Sequence, residues 1–386
     1  MSRNWARVSE ETIKWSLGLR GIIIAATLGL AGAAYGDGGS SNERSASVPG
    51  RGSFMLAQAP ATRPDAGAQA ELAALEKAAK AEGEVTFYSP APEASVARVV
   101  KAFTAKYGIK AQFVSLTNSP LLQRYSAEAD AGTFAADFTM VSCCVAYIED
   151  GIKKGWLESI TAANLPVLRS GEFPAKFNRG VGVVIQVAPW SIAYNSNKVK
   201  GADVPKDWPD LLNPKWKGQM LLADPRASAV YFEFFSMIID KYGESYLAGL
   251  RDQAGNAPRY GNGIQAVQGM GAGEGSHTLP AIPSQVQGPK DKGAPVDRFT
   301  PDFTTGIEYQ LLLTSRAKAK HPAAARLMVN YFMSQEGNKV FNDDPGSIGI
   351  YDTTRLPSNF QAPNARLADT RKGLMGTSIN VVLRKV

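Results

Sequence analysis

Histidine and cysteine are scarce in this chain of 386 residues, with two of each. His277 and His321 lie far apart, and Cys143 is next to Cys144. No zinc-like ligand set with proper spacing can be written from them, so no metal and no cofactor is expected. Adjacent cysteines rarely bridge each other, because a disulfide prefers Cα atoms about 4.4–6.8 Å apart. The expectation is two small buried residues at a strand end, with a redox pair or a soft-metal site as the alternative. Catalytic machinery is also missing: there is no G-x-S-x-G elbow and no Ser/His/Asp order. The run Gly269-Met270-Gly271-Ala272-Gly273 fits neither the phosphate-loop nor the dinucleotide pattern, and reads as a flexible loop. The net charge of +7 is scattered, without a dense basic cluster interleaved with aromatics. Nucleic acid is therefore excluded as a partner, whereas a mildly positive field suits a small anionic ligand.

A membrane-spanning segment is missing as well. The apolar run GIIIAATLGLAGAA at residues 21–34 falls short of the roughly 20 residues a bilayer needs. Arg3, Arg7, Lys14 and Arg20 precede it, and the small residues Ala31-Gly32-Ala33 lie at its end. That arrangement predicts a signal peptide over residues 1–34. No cysteine follows closely to carry a lipid, and no twin-arginine pair precedes it. Residues 35–67 are rich in Gly, Ser, Ala, Pro and Arg without periodicity, and read as a disordered linker.

From about Ala68 the chain alternates helix and strand. Leu72, Leu75 and Ala79 predict a helix ended by Gly83, and Glu84–Tyr88 a strand. Val96, Val99, Val100, Phe103 and Tyr107 form a helical stripe, and residues 111–116 a strand. A helix over 119–131, a strand over 136–142 and a helix over 145–156 follow. Such alternation predicts an α/β fold with a parallel sheet. Residues 182–196 form a long apolar extended run, suited to a strand that passes between domains. Residues 220–223 predict a strand, and a helix reaches Tyr242. Residues 296–313 look extended again.

His321–Phe341, HPAAARLMVNYFMSQEGNKVF, carries the strongest local signal. Pro322 suits a first helical position. Ala324, Leu327, Met328, Tyr331 and Phe332 lie on one helical face. Ser334 can cap a second helix. By itself this is an amphipathic helix pair packed on a core. The same run, with Asn338 in place of the usual Gln, resembles a segment of the extracellular solute-binding protein family 1 of ABC importers, which includes ferric-ion binders. LEKAAKAEGEVTFYS and the stretch Asp207–Gly218 resemble further segments of that family, in the same order.

The resemblance implies a bilobal periplasmic-binding-protein fold closing by hinge motion around a ligand. It implies lobe 1 from residues 68–187 and 312–386, and lobe 2 from residues 188–311. It also implies a monomer in the periplasm that binds a small-molecule solute and hands it to the permease of an ABC transporter, with no enzymatic activity. Ferric-ion binders of the family use a Tyr-Tyr pair in the second lobe. This chain has no adjacent tyrosines, and Ser276-His277-Thr278 stands after Gly273-Glu274-Gly275. The departure disfavours iron, because a hard cation seeks phenolate and carboxylate oxygens. An anionic solute such as a phosphonate, sugar phosphate or carboxylate is the first expectation. Metal binding is the alternative within the fold, and a thiol protein using Cys143-Cys144 is the alternative of another class.

In open α/β sheets ligands bind beyond the carboxyl ends of strands, near helix N-termini. The ligand-binding candidates are therefore Ser89, Thr117, Asn118 and Ser142 on one side, and Arg226, Ser228 and Ser284 on the other. Arg226 offers a fork for a carboxylate or phosphate, and Ser228 a hydroxyl at a helix start. Each has an ordinary reading as a turn or cap residue. His277 is either a ligand contact or a surface-loop residue.

Overall fold

The computed structural model describes residues 66–224, 228–257 and 259–363. The expected signal peptide, most of the linker, Arg226 and residues 364–386 lie outside them. The chain runs α1 (Ala66–Glu82), β1 (Glu84–Ser89), α2 (Glu93–Tyr107), β2 (Lys110–Ser115), α3 (Asn118–Asp130), β3 (Phe138–Val141), α4 (Val145–Lys153) and β4 (Leu157–Glu158). Two short helices, α5 (Ile160–Ala163) and α6 (Pro166–Arg169), lead to β5 (Val183–Pro189) and β6 (Ser191–Asn195). Then come β7 (Met220–Ala223), α7 (Ala229–Tyr242), α8 (Glu244–Ala254), β8 (Arg259–Tyr260), α9 (Gly263–Gly271), β9 (His277–Ala281), α10 (Pro283–Asp291) and β10 (Val296–Phe299). The chain returns through β11 (Phe303–Thr304), β12 (Gly306–Thr314), α11 (Pro322–Met333), α12 (Gln335–Phe341), β13 (Ile348–Gly349) and β14 (Asn359–Phe360).

Two main sheets result. The first has the order β13-β5-β12-β3-β1-β2, with β4 paired to β12. The second has the order β10-β6-β9-β7-β8. β1 runs parallel to β2 and β3, as the alternation of elements predicts. β12, by contrast, runs antiparallel to β3 and β5. These two strands carry the chain out of the first lobe and back, so their direction follows from the crossing and not from a βαβ unit.

The long apolar run at 182–196 is two strands with a break at Trp190. The first crossing therefore falls there, between β5 and β6. The return is complete at Gly306, where β12 enters the first sheet, six residues before the boundary read from sequence. The crossings lie side by side. The Trp190 N–H donates to the Thr305 carbonyl (2.8 Å), and Thr304 Oγ1 donates to the Trp190 carbonyl (3.0 Å). A Cβ on Gly306 would come within 2.5 Å of the Ala188 carbonyl oxygen, so only glycine permits this approach. The buried Trp190 ring meets Tyr231 and Phe234 of α7 at 5.9 and 5.8 Å.

Two elements differ from the sequence reading. α4 stops at Lys153, short of Trp156, because Gly155 adopts φ +68 and turns the chain into β4. The run Gly269–Gly273, expected to be a flexible loop, instead begins inside α9, whose last residues are Gly269, Met270 and Gly271. Asn262 caps it by accepting the Gln265 N–H at 2.9 Å, and Ala266, Val267 and Met270 are buried. A Cβ on Gly269 would collide with the Tyr260 ring, so this glycine serves close packing and not flexibility.

α11 and α12 follow their sequence pattern. Ser334 accepts the Gly337 N–H at 3.2 Å and starts α12. The apolar face of α11 is buried on the first lobe, with Phe332 edge-on to Phe87, Phe138 and Phe341. Its N-terminus is capped from a distance: the Glu82 carboxylate accepts the N–H groups of Ala323 (3.0 Å) and Ala324 (2.7 Å).

Candidate functional site

The carboxyl ends of β1, β2 and β3 lie at one edge of the first sheet and feed α2, α3 and α4. At this edge Asn118 is the organiser. It is 6 % exposed. Its Oδ1 accepts from the Ser142 N–H (3.0 Å) and the Ser142 Oγ (3.4 Å), while its Nδ2 donates to the sulfurs of Cys143 and Cys144. Asn118 and Ser142, two of the sequence candidates, are thus one unit. Thr117 is exposed beside them as the N-cap of α3, with no side-chain cap bond. Ser89 is fully buried and turned inward: its Oγ donates to Met140 Sδ (3.4 Å) and accepts the Ala91 N–H (3.2 Å).

The two cysteines correct the sequence expectation. They are joined to each other by a disulfide between sequence neighbours, with Cα atoms 3.7 Å apart. Cys143 is buried, and Cys144 is the N-cap of α4 at φ +86. The left-handed backbone at Cys144 and the Asn118 amide behind both sulfurs are features that residue spacing does not reveal.

On the second lobe, Ser228 is the half-buried N-cap of α7, and its side chain makes no cap bond. Ser284 sits in the first turn of α10, with its Oγ buried and unpartnered among the described residues. Its backbone N–H packs against Gly346 of the first lobe. His277 is neither a surface-loop residue nor free to meet a ligand. It is 1 % exposed in β9, its Nδ1 is 2.9 Å from Ser276 Oγ, and Trp216 packs edge-on to its ring. Burial, reinforced by the positive Lys215, lowers its pKa to about 4. Tyr88 hydrogen-bonds Glu128 (2.8 Å), and burial followed by that carboxylate raises its pKa to about 12.

A crevice of about 400 Å³ opens where the lobes meet. Ser142, Cys143, Glu149, Arg179, Glu308 and Gln310 line it from the first lobe and Glu233 of α7 from the second. Of the described sequence candidates only Ser142 lines this crevice; Ser89, Thr117, Asn118, Ser228 and Ser284 do not. Arg179 and Glu308 escape the sequence reading altogether. A usable signal for Glu308 exists: it is a carboxylate inside the otherwise apolar strand GIEYQLLLT. Among the described residues no three His, Cys, Asp or Glu side chains are grouped to hold a metal ion.

The N-cap side chains Pro92, Thr117, Cys144 and Ser228, at the starts of α2, α3, α4 and α7, make no cap bond. Side chains bond the starts of α5 (Ser159), α6 (Asn330), α9 (Asn262), α11 (Glu82) and α12 (Ser334), whereas the N-caps of α8 and α10 make no side-chain bond either. Helix starts bearing the positive dipole end and not closed by their own N-cap favour anionic or oxygen-rich ligands.

Residues 144–348 match the bacterial extracellular solute-binding protein family, and the chain belongs to that family. An uncharacterized protein of Haemophilus influenzae is 24% identical over 308 residues, 76% of this chain and 84% of that one. The substrate binding protein of an ABC transporter from Agrobacterium tumefaciens is similar in structure, with TM-score 0.65 and 17% identity over 78% of this chain and 94% of that one. AfuA of Actinobacillus pleuropneumoniae, solved with fructose-6-phosphate, has TM-score 0.60 and 18% identity, covering 79% and 99%. Iron-bound HitA of Pseudomonas aeruginosa has TM-score 0.59 and 19% identity, covering 78% and 99%. At these identities the structural likeness establishes the periplasmic-binding-protein fold.

Proposed function

We propose that this protein is exported to the periplasm as a monomer, captures a small anionic solute between its lobes and delivers it to the permease of an ABC importer. The observation that carries the anion reading is that α2, α3, α4 and α7 begin with no side-chain bond from their N-cap residues, which leaves the positive ends of these helices to a ligand. Asn118, Ser142 and Thr117 add short polar groups at the same edge, Ser228 and Ser284 do so on the second lobe, and Arg226 would add a cationic fork there. The paired crossings at Trp190 and Thr305 give the hinge about which lobes of this fold close. The solute class is a phosphonate, a sugar phosphate or a carboxylate.

Ligand that binds only the folded chain raises its melting temperature by mass action. The test is a thermal-shift panel of inorganic phosphate, methylphosphonate, fructose 6-phosphate, citrate, spermidine and ferric ion. A shift with one of the anions supports the reading. A shift confined to spermidine or ferric ion overturns it.

Metal capture is the second reading, because iron-bound HitA of Pseudomonas aeruginosa shares this fold. Metal analysis of the purified protein separates the two: stoichiometric iron would favour this reading over the anion.

A further inference from the structure

The crevice contains one feature that solute binding by itself does not require, the bond between Cys143 and Cys144. Three observations bear on it. Cys143 lines the crevice next to Ser142. The Asn118 amide touches both sulfurs, and its oxygen holds the Ser142 N–H. Cys144 starts α4 with φ +86, a region that side-chain-bearing residues avoid. The small ring formed by the disulfide is the covalent constraint that keeps Cys144 in this conformation. Once the ring opens, Cys144 can relax toward ordinary backbone angles, and the sulfur contacts of Asn118 loosen with it. Ser142 and the start of α4 would then lose their position.

We propose that the Cys143–Cys144 disulfide is a positioning device that holds this wall of the crevice in its binding geometry, so that solute affinity depends on the redox state of the pair. The inference rests on the solute-binding reading above. Export fits it, because disulfides persist in oxidising compartments. The switching chemistry is thiol–disulfide exchange. A thiolate of a small thiol attacks one sulfur, forming a mixed disulfide and releasing the other cysteine as thiolate. A second equivalent then releases the oxidised small-molecule disulfide and leaves two protein thiols. Two electrons pass from the small thiols to the protein.

The first test needs no solute. Thiols are counted in the intact chain before and after treatment with a thiol reductant, and amide hydrogen exchange is followed over residues 142–146. No free thiol is expected as isolated and two after reduction. Exchange of that segment should rise about tenfold on reduction, equivalent to ~1.4 kcal/mol of lost local stability. Cys143→Ala/Cys144→Ala should behave like the reduced protein. Cys143→Ala/Cys144→Gly should recover part of the difference from the oxidised protein, because glycine adopts positive φ without penalty although the sulfur contacts of Asn118 are gone. Two free thiols as isolated, or equal exchange in both redox states, overturns the proposal.

The second test titrates both forms with inorganic phosphate. A roughly tenfold weaker affinity after reduction supports the proposal, and equal affinity overturns its binding half. If phosphate binds neither form and the panel yields no other anion, the solute reading fails, while the exchange measurement still decides the role of the disulfide.

Discussion

Arg179 and Glu308, which both line the crevice, meet in a two-point ion pair, with Nη2 2.6 Å from Oε1 and Nε 3.3 Å from Oε2. Glu308 is 8 % exposed and lies on the strand that re-enters the first lobe. The pair ties that strand to the turn before β5, so it supports both the crevice and the hinge strands. Removing the cation leaves a nearly buried carboxylate unpaired. Arg179→Ala is expected to cost about 2 kcal/mol, the range for hydrogen bonds to charged groups. Arg179→Ala/Glu308→Gln should recover part of that loss, because no charge is left behind. Urea unfolding measures both; a single variant as stable as the parent would contradict the assignment.

His277 makes stability depend on pH. Its folded pKa of about 4 lies below the ordinary value of 6.5. Between these values the unfolded chain takes up the proton and the folded chain does not. Stability from this residue is therefore complete above pH 6.5 and is lost as the pH falls toward 4, by up to ~3 kcal/mol at ~1.4 kcal/mol per pH unit. His277→Gln should flatten the melting-temperature profile between pH 6.5 and 4. An unchanged slope would show that other groups control that range.

Gly306→Ala should act through the hinge. The added Cβ meets the Ala188 carbonyl, a backbone atom that moves only with its strand. Overpacking of this kind costs about 1–3 kcal/mol. The signal specific to the hinge is a change in solute affinity larger than that of Arg326→Ala, a variant on α11. Equal effects on affinity would remove Gly306 from the hinge.

Glu82 tests the remote cap on α11. Glu82→Ala strips the acceptor from the Ala323 and Ala324 N–H groups, and should cost about 1–2 kcal/mol. Affinity for the solute should not change, since α11 does not line the crevice. A binding defect at constant stability would mean that α11 does more than support the first lobe.

Much of the architecture was legible in the chain. Helix stripes such as Val96, Val99 and Phe103 record a periodic burial that any amphipathic element must show, and all three are fully buried in α2. Pro322 and Ser334 mark helix starts through chemistry confined to one turn. The end of α4 at Gly155 and the helical Gly269–Gly271 of α9 depart from the sequence pattern for related reasons. A glycine can end a helix, or admit a neighbour such as Tyr260, and the sequence does not say where that neighbour stands. The candidate site was less legible. Ser89 lies at the expected strand end, yet its hydroxyl is used by Ala91 and Met140, a choice set by side-chain direction within a packed layer.

The alternation of elements, the apolar faces, the helix signals and the family resemblance can be read from the chain, because each depends on residues close together in it. The place where the chain crosses between lobes, the carboxylate that Arg179 meets and the position of Asn118 behind the two sulfurs come from long-range packing. These depend on pairs separated by 129 residues for Arg179 and Glu308 and by 25 for Asn118 and Cys143. Such contacts form only after distant strands have paired, and no local propensity encodes them.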